Sequence, residues 1–419
     1  MRLTGHLLTG VVTGPGQIVA GRAVPGWIVP EEIADGEIEI EGGWITRVGP
    51  RDRSAPPAAA SARWIVPGFV DIHCHGGGGG EFGPDPGGAR AAIVRHRGQG
   101  TTSLVASLVS APADRLVAGV GACAGLVAAG ELAGIHLEGP FLSEIRCGAQ
   151  DPRALTDVDL DLVERLQAAA EGAGAPAAIV QQTFAPERPG AGHLPAALAD
   201  LGALAAVGHT DADARLVRQT LAACAELAPR GGRPLVTHLF NGMPPLHHRS
   251  PGPVAAALAS AGCGEAVLEL IADGVHLHPD TVRMVFDTVG PQGICLVSDA
   301  MSASGSGDGE YQLGQLRVRV ADGAVRLVDG GSLAGGLACM LDLVRVCVHQ
   351  AGVRLADAVV AATSTPAAAL GLADVGRLEP GRRADLVLLD DDLALVAVLR
   401  HGEWLTPPPR AAEAPAPRG

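Results

Sequence analysis

Lysine is absent from this 419-residue chain; all 31 of its basic residues are arginine. A Schiff-base lysine, a phosphate-loop lysine and a carboxylated lysine bridging two metals are therefore excluded. A GC-rich genome would explain the arginine, alanine and glycine excess, but the exclusion holds whatever its cause. Paired cysteines are missing as well. Cys74, Cys123, Cys147, Cys224, Cys263, Cys295, Cys339 and Cys347 are scattered without a C-x-x-C spacing, unlike a disulfide framework or a zinc knuckle. Basic charge is scarce. The net charge is −14 and the isoelectric point about 5.4, so there is no basic nucleic-acid footprint. Any anion must be met by local positive groups and backbone N–H donors. Long apolar runs are lacking too. The longest uncharged one, 116–130, is too short to span a bilayer as a helix. The opening MRLTGHLLTGVVTGPG has one Arg and an apolar run broken by Thr, Gly and His, unlike a signal peptide. With 47% hydrophobic and 18% charged residues, a globular, cytoplasmic protein without membrane or nucleic-acid partners is expected.

Residues 1–66 read as short strands. GEIEIEGGWITRVG alternates apolar and polar residues about a Gly-Gly turn, which predicts a hairpin with one buried face. From 67 to 373 apolar runs alternate with helical patterns. The predicted strands are GFVDIH, TSLVAS, AGIHLE, AAIVQQT, LAAVGH, PLVTHLF, AVLELIAD and ICLVSDA, and helices such as DLDLVERLQAAAE and DADARLVRQTLAACAE lie between them. That alternation predicts an α/β fold with a parallel sheet closed into a barrel. Strand-like writing returns over 374–409, so the two termini are expected to build one small β domain around the inserted barrel. The Pro/Ala-rich 410–419 is expected to be disordered.

Function in such a barrel gathers at the C-terminal ends of the strands. His73 and His75 end the first run, Glu138 the third, His209 the fifth and Asp299 the last, and His238 lies in PLVTHLF. Residues i and i+2 of a strand share a face, so His73 and His75 would both point into the mouth and Cys74 outward. Imidazole with carboxylate suits zinc and related divalent metals. H-x-H alone also fits hydrogen-bonded barrel residues; the recurrence at other strand ends favours the metal. The glycines after His75 are either a flexible turn or a loop passing close to a substrate.

PGFVDIHCHGGGG, HLEGPFL, VGHTDA, THLFNGMPPLHHRSPG, IADGVHLHP, LVSDAM, SLAGG, ATSTPAAALGL and GRLEPGRRADLVLLD occur in order over nearly the whole chain. In that order they resemble the N-acetylglucosamine-6-phosphate deacetylase family of the amidohydrolase superfamily. The resemblance implies a (β/α)8 TIM-type barrel with a small β-sandwich of N- and C-terminal segments, as a homodimer. It implies one or two divalent metals per subunit, zinc foremost, with iron, manganese or cobalt as alternatives. Glu138, His209 and His238 would hold one metal; His73 and His75 would bring a second, bridged by Glu138. Asp299 would act as general base and then general acid. The substrate would be a small amino-sugar phosphate, met by Ala149, Gln150, Asn241, Gly242, Arg249, His276, Leu333, Ala334 and Gly335, with Arg249 gripping the phosphate. His136 reads as a packed barrel histidine and His278 as part of a turn.

The loop SEIRCGAQDP departs from the family pattern. Gln150 stands where a histidine is usual and Cys147 where a basic residue is usual. Gln can donate a hydrogen bond but carries no charge. The alternatives are a deacetylase for N-acetylgalactosamine 6-phosphate or an unphosphorylated sugar, and a non-catalytic sugar-phosphate-binding homologue. A cyclic-amidase type is disfavoured by the missing lysine.

Overall fold

The computed structural model describes residues 1–12, 18–19, 22–23, 28–29, 32–229 and 232–408; the expected tail 410–419 lies outside them. The N-terminal segment supplies β1 (Arg2–Leu8), β2 (Glu32–Glu41), β3 (Trp44–Pro50) and β4 (Ala60–Pro67). The hairpin predicted around Gly42-Gly43 is β2–β3, with Ile38 facing Val48. Only Gly68 separates β4 from the first barrel strand, so sheet and barrel meet at a short joint.

All eight predicted barrel strands are present. They are β5 (Phe69–Cys74), β6 (Thr101–Val109), β7 (Gly134–Glu138), β8 (Ile179–Phe184), β9 (Leu204–Val207), β10 (Leu235–Val236), β11 (Val267–Leu270) and β12 (Ile294–Leu296). They pair in parallel in chain order. The Asp299 N–H donates to the His73 carbonyl at 2.9 Å and joins the last strand's extension to the first. Helices follow the strands as the periodicity predicts. Asp159 and Asp213 cap Leu160–Gly172 and Ala214–Leu227, each carboxylate accepting a free N–H of the first turn. Val217, Leu221 and Cys224 recur at helical spacing and bury one face of the second helix against the barrel. The apolar 116–130 stretch belongs largely to the barrel helix Ala113–Ala128. Among the described residues no helix is long and apolar enough to cross a membrane.

An antiparallel insert follows the last barrel strand: β13 (Gly309–Leu313), β14 (Leu316–Ala321) and β15 (Ala324–Leu327). It packs Leu313, Val318, Val320 and Val325 on Met301, Ala303 and Ala334 as a separate small core. The strand–helix reading of 67–373 did not anticipate it, although LRVRVADGAVRL alternates with period two about a turn. The chain closes with β16 (Leu386–Leu389), β17 (Leu395–Arg400) and β18 (Glu403–Thr406). These join the N-terminal strands in one seven-stranded sheet of order β18-β17-β16-β4-β1-β2-β3, as the likeness of the two termini predicts. Leu3, Leu7, Ile38, Ile65, Leu386 and Leu399 form its core.

Candidate active site

At the C-terminal mouth of the barrel two kinds of backbone deliver the chemically capable side chains. His73 and Glu138 stand on β5 and β7, and His75 directly follows β5. Alternation sends His73 and His75 inward, while Cys74 packs outward against His96 (Sγ to Nε2 3.3 Å). A bulge falls at this point, where the four residues Asp71 to Cys74 match the three from Leu104 to Ala106. Alternation alone would put Asp71 on the His73 face. The bulge instead leaves its carboxylate to accept the Ser298 hydroxyl at 2.6 Å and the N–H groups of Ser298 and His73 at 3.3 Å. Asp71 thereby ties β5 to the residue next to Asp299.

His209, His238 and Asp299 lie past the ends of their strands, at φ 46°, 25° and 45°. Non-glycine residues rarely adopt this left-handed region, and each such position costs of order 1–3 kcal/mol. Phe240 beside them is left-handed too, at φ 79°, while Asp322, Leu393 and His401 show the same conformation elsewhere in the chain. Gly242 allows the site to close. A Cβ there, at φ +62°, would lie 2.8 Å from His209 Nδ1.

The six side chains form two buried groups, Glu138–His209–His238 and His73–His75–Asp299. Glu138 touches both. Its Oε1 lies 3.0 Å from His209 Nε2 and 2.9 Å from His238 Nε2, and its Oε2 lies 3.1 Å from His75 Nε2. Asp299 Oδ1 lies 3.2 Å from His75 Nε2 and 3.4 Å from His73 Nε2. The far sides of three rings are anchored: His73 Nδ1 on Glu269 (2.9 Å), His75 Nδ1 on the Ser107 carbonyl (3.0 Å) and His209 Nδ1 on the Arg146 carbonyl (2.8 Å). These anchors fix the tautomers so that Nε2 faces the centre. His238 Nδ1 is buried without a partner among the described residues.

Charge follows the geometry. Burial pulls His73 down, but the charges of Glu269 and Asp299 outweigh it and push it up to about 9. Burial likewise opposes His75, whose bonds to Asp299 and Glu138 raise it to about 10. Burial disfavours the Glu138 carboxylate, yet hydrogen bonds from His209, His238 and His75 hold it well below the usual range. Asp299 is also lowered, against burial, by His73 and His75. The site demands positive charge between its carboxylates. Nε2 atoms also face each other at 3.2 Å (His73–His75) and 3.1 Å (His209–His238). Two such atoms share acceptors poorly but converge naturally on a cation. The donor set thus fits a divalent metal with nitrogen and oxygen ligands.

A cleft opens over this centre. Ala149, Gln150, Asn241, Gly242, His276, Leu333 and Gly335 line it, together with Leu313 from the insert. Ala334 does not. It is buried in the insert core, and its N–H donates to the Val325 carbonyl. Arg249 also lies outside the lining, exposed in the loop after Gly242 and 2.9 Å from His248 Nε2. His136 sits beneath His73, with ring centroids 4.5 Å apart, and bonds to Ser107 and Thr183 as a barrel residue. The run after His75 is a close-packed hairpin, Gly76–Gly77 against Gly80–Glu81. None of its glycines lines the cleft.

Comparison with known proteins places this architecture. Residues 64–411 match the model of the Amidohydrolase family. The N-acetylglucosamine-6-phosphate deacetylase of Bacillus subtilis is 32% identical over 386 residues, covering 89% of this chain and 93% of that protein. The chain belongs to the amidohydrolase family. A solved N-acetyl-D-glucosamine-6-phosphate deacetylase from Mycobacterium smegmatis is similar to this amidohydrolase along 97% of its length and 99% of the other chain, with TM-score 0.85 and 38% identity. That structure is an aspartate-to-alanine mutant in complex with N-acetyl-D-glucosamine-6-phosphate. The N-acetylgalactosamine-6-phosphate deacetylase of Shewanella is 33% identical over 350 residues, covering 81% of this chain and 83% of that one.

Sequence reasoning passed over two buried carboxylates of this amidohydrolase. Glu269 orients His73 and also accepts the His238 N–H at 3.2 Å, so one side chain serves both groups. It sits in AVLELIAD, where a charged residue inside an apolar strand was the available signal. Asp71, in GFVDIH, carried the same signal.

Proposed function

We propose that this amidohydrolase deacetylates N-acetyl-D-glucosamine 6-phosphate to D-glucosamine 6-phosphate and acetate, in amino-sugar catabolism. The convergence of Glu138, His209, His238, His73, His75 and Asp299 under one cleft carries the reading. Glu138, His209 and His238 would hold one divalent metal, and His73, His75 and Asp299 would offer ligands to a second. Zinc is the first choice; iron, manganese and cobalt remain alternatives. A metal bound there would supply Lewis acidity to polarise the acetamide carbonyl and to lower the pKa of water towards neutrality.

Asp299, ionised and aimed at the centre, takes a proton from the attacking water. The water oxygen bonds to the acetyl carbon and the C–N bond breaks. Asp299 returns a proton to the departing nitrogen, so acetate and the amine leave. His276 is held by Asp273 at 2.8 Å. Burial lowers it, but that bond raises it on balance, so it enters the cleft as a donor. Asn241, the Gly242 backbone and the 333–335 backbone complete the sugar contacts. Arg249 has no carboxylate partner among the described residues, which leaves its guanidinium for the phosphate. A homodimeric, cytoplasmic enzyme belongs to the same reading.

N-acetylgalactosamine 6-phosphate is the second reading. It is favoured by the comparable identity to the Shewanella protein. Acetate release from both phosphates and from unphosphorylated N-acetylglucosamine, measured in parallel on metal-loaded protein, separates them. The expected order puts N-acetylglucosamine 6-phosphate first by kcat/KM. Faster turnover of the sugar without phosphate would overturn the phosphate assignment. No acetate from any of the three would favour a binding protein.

A further inference from the structure

The loop that departs from the family pattern lies against the metal ligands. Ser143 donates its N–H to the His209 carbonyl at 3.0 Å, and the Arg146 carbonyl accepts from His209 Nδ1 at 2.8 Å. The Arg146 guanidinium is pinned by Asp211 at 2.6 Å. Four residues on, Gln150 turns inward and is buried. Its Nε2 donates to Glu138 Oε2 at 2.5 Å and its Oε1 accepts the Ser110 N–H at 2.7 Å.

This pair of bonds fixes the amide orientation. Reversing it would set a carbonyl oxygen against a carboxylate and an NH2 against an N–H. The engaged atom of Glu138 is also specific. Oε1 meets His209 and His238, whereas Oε2 is the oxygen facing His75. A carboxylate shared by two groups works only while its plane is held, because rotation about its last torsion takes Oε2 away from His75. Gln150 is the side chain that opposes that rotation.

We propose that Gln150 is a positioning residue for the metal centre: it locks the Glu138 carboxylate and so sets the affinity for the metal on the His73–His75 side. This assigns the uncharged residue a task that needs a directed donor and no charge. It rests on Glu138 being a metal ligand, as the proposed function has it.

The test is metal binding, read without substrate. Apo protein is titrated with zinc against a chromophoric chelator, in the wild type, Gln150→Leu and Gln150→His. Two equivalents are expected in the wild type. In Gln150→Leu the affinity of the weaker one should fall by about 10- to 100-fold, the usual effect of losing such a partner. The tighter equivalent should stay within about threefold. Gln150→His, which keeps a ring N–H donor, should recover most of the loss. If Gln150→Leu does not fold, as judged by apo-protein melting, Gln150→Met removes the same donor with a closer shape. Kinetics supply the contrast. Excess zinc should restore kcat in Gln150→Leu with little change in KM. Unchanged zinc affinities with a raised KM would overturn the proposal and make Gln150 a substrate contact. A wild type that binds zinc at a single equivalent would also overturn it. One that binds none would overturn the metal reading of Glu138 with it.

Discussion

Strand-borne and corner-borne residues meet at this barrel mouth, and they differ in how their positions are secured. His73, His75 and Glu138 use ordinary strand geometry, where alternation aims the side chain and the sheet ladder holds the backbone. His209, His238 and Asp299 stand beyond their strands at φ between 25° and 46°. The corner residues need external support: the Ser143–Gln150 loop and Gly242 around His209, Glu269 behind His238, and Ser298 with Asp71 beside Asp299. Each metal group mixes both kinds. Regular structure therefore provides one member of the Glu138–His209–His238 group and two of the His73–His75–Asp299 group, and the rest depends on tertiary contacts that offset backbone strain.

The comparison can be broken most severely at Glu138, whose carboxylate faces the histidines of both groups. Glu138→Gln should lose metal from both and drop acetate release to background, as read by elemental analysis and a product assay. Next, the two histidine pairs should behave unequally. His73→Ala with His75→Ala should leave about one metal equivalent on Glu138, His209 and His238, with reduced turnover; His209→Ala with His238→Ala should abolish turnover. Equal residual activity would erase the distinction between the groups. A smaller effect is expected at Glu269. Glu269→Gln keeps the shape but turns an acceptor of His73 into an amide, and should weaken metal binding about 10- to 100-fold by competition titration. The smallest effects test the corner backbone by thermal melting. Gly242→Ala meets His209 at a left-handed φ and should cost about 1–3 kcal/mol. Gly172→Ala, at a helix C-terminal turn with open space around it, should be neutral or stabilising by about 0.5–1 kcal/mol.

The same division governs what could be read from the sequence. Eight strands were legible because each is a short apolar run between helical patterns. His73, Glu138 and their neighbours were legible because capable residues recur at the ends of those runs. The left-handed corners were not, because no glycine stands at His209, His238 or Asp299 to mark them. Asp71 could not be placed by alternation, because a one-residue bulge reverses its face. The hydrogen bonds of Gln150 were not legible, since its two partners, Ser110 and Glu138, are 40 and 12 residues away in sequence. The resemblance gave Ala334 as a substrate contact through its backbone, and its side chain is taken by the insert's own core. That insert was visible as period-two writing but was absorbed into the barrel rhythm.

Asp299→Asn tests the central assignment most directly, with metal content and acetate release measured on the same preparation. The Glu138–His209–His238 group is untouched by the change, and the amide keeps the side chain's shape. Retained metal with turnover lowered by roughly 10²- to 10⁴-fold is the predicted result, the span that a lost general acid–base group commands. Full turnover in the metal-loaded variant would contradict it.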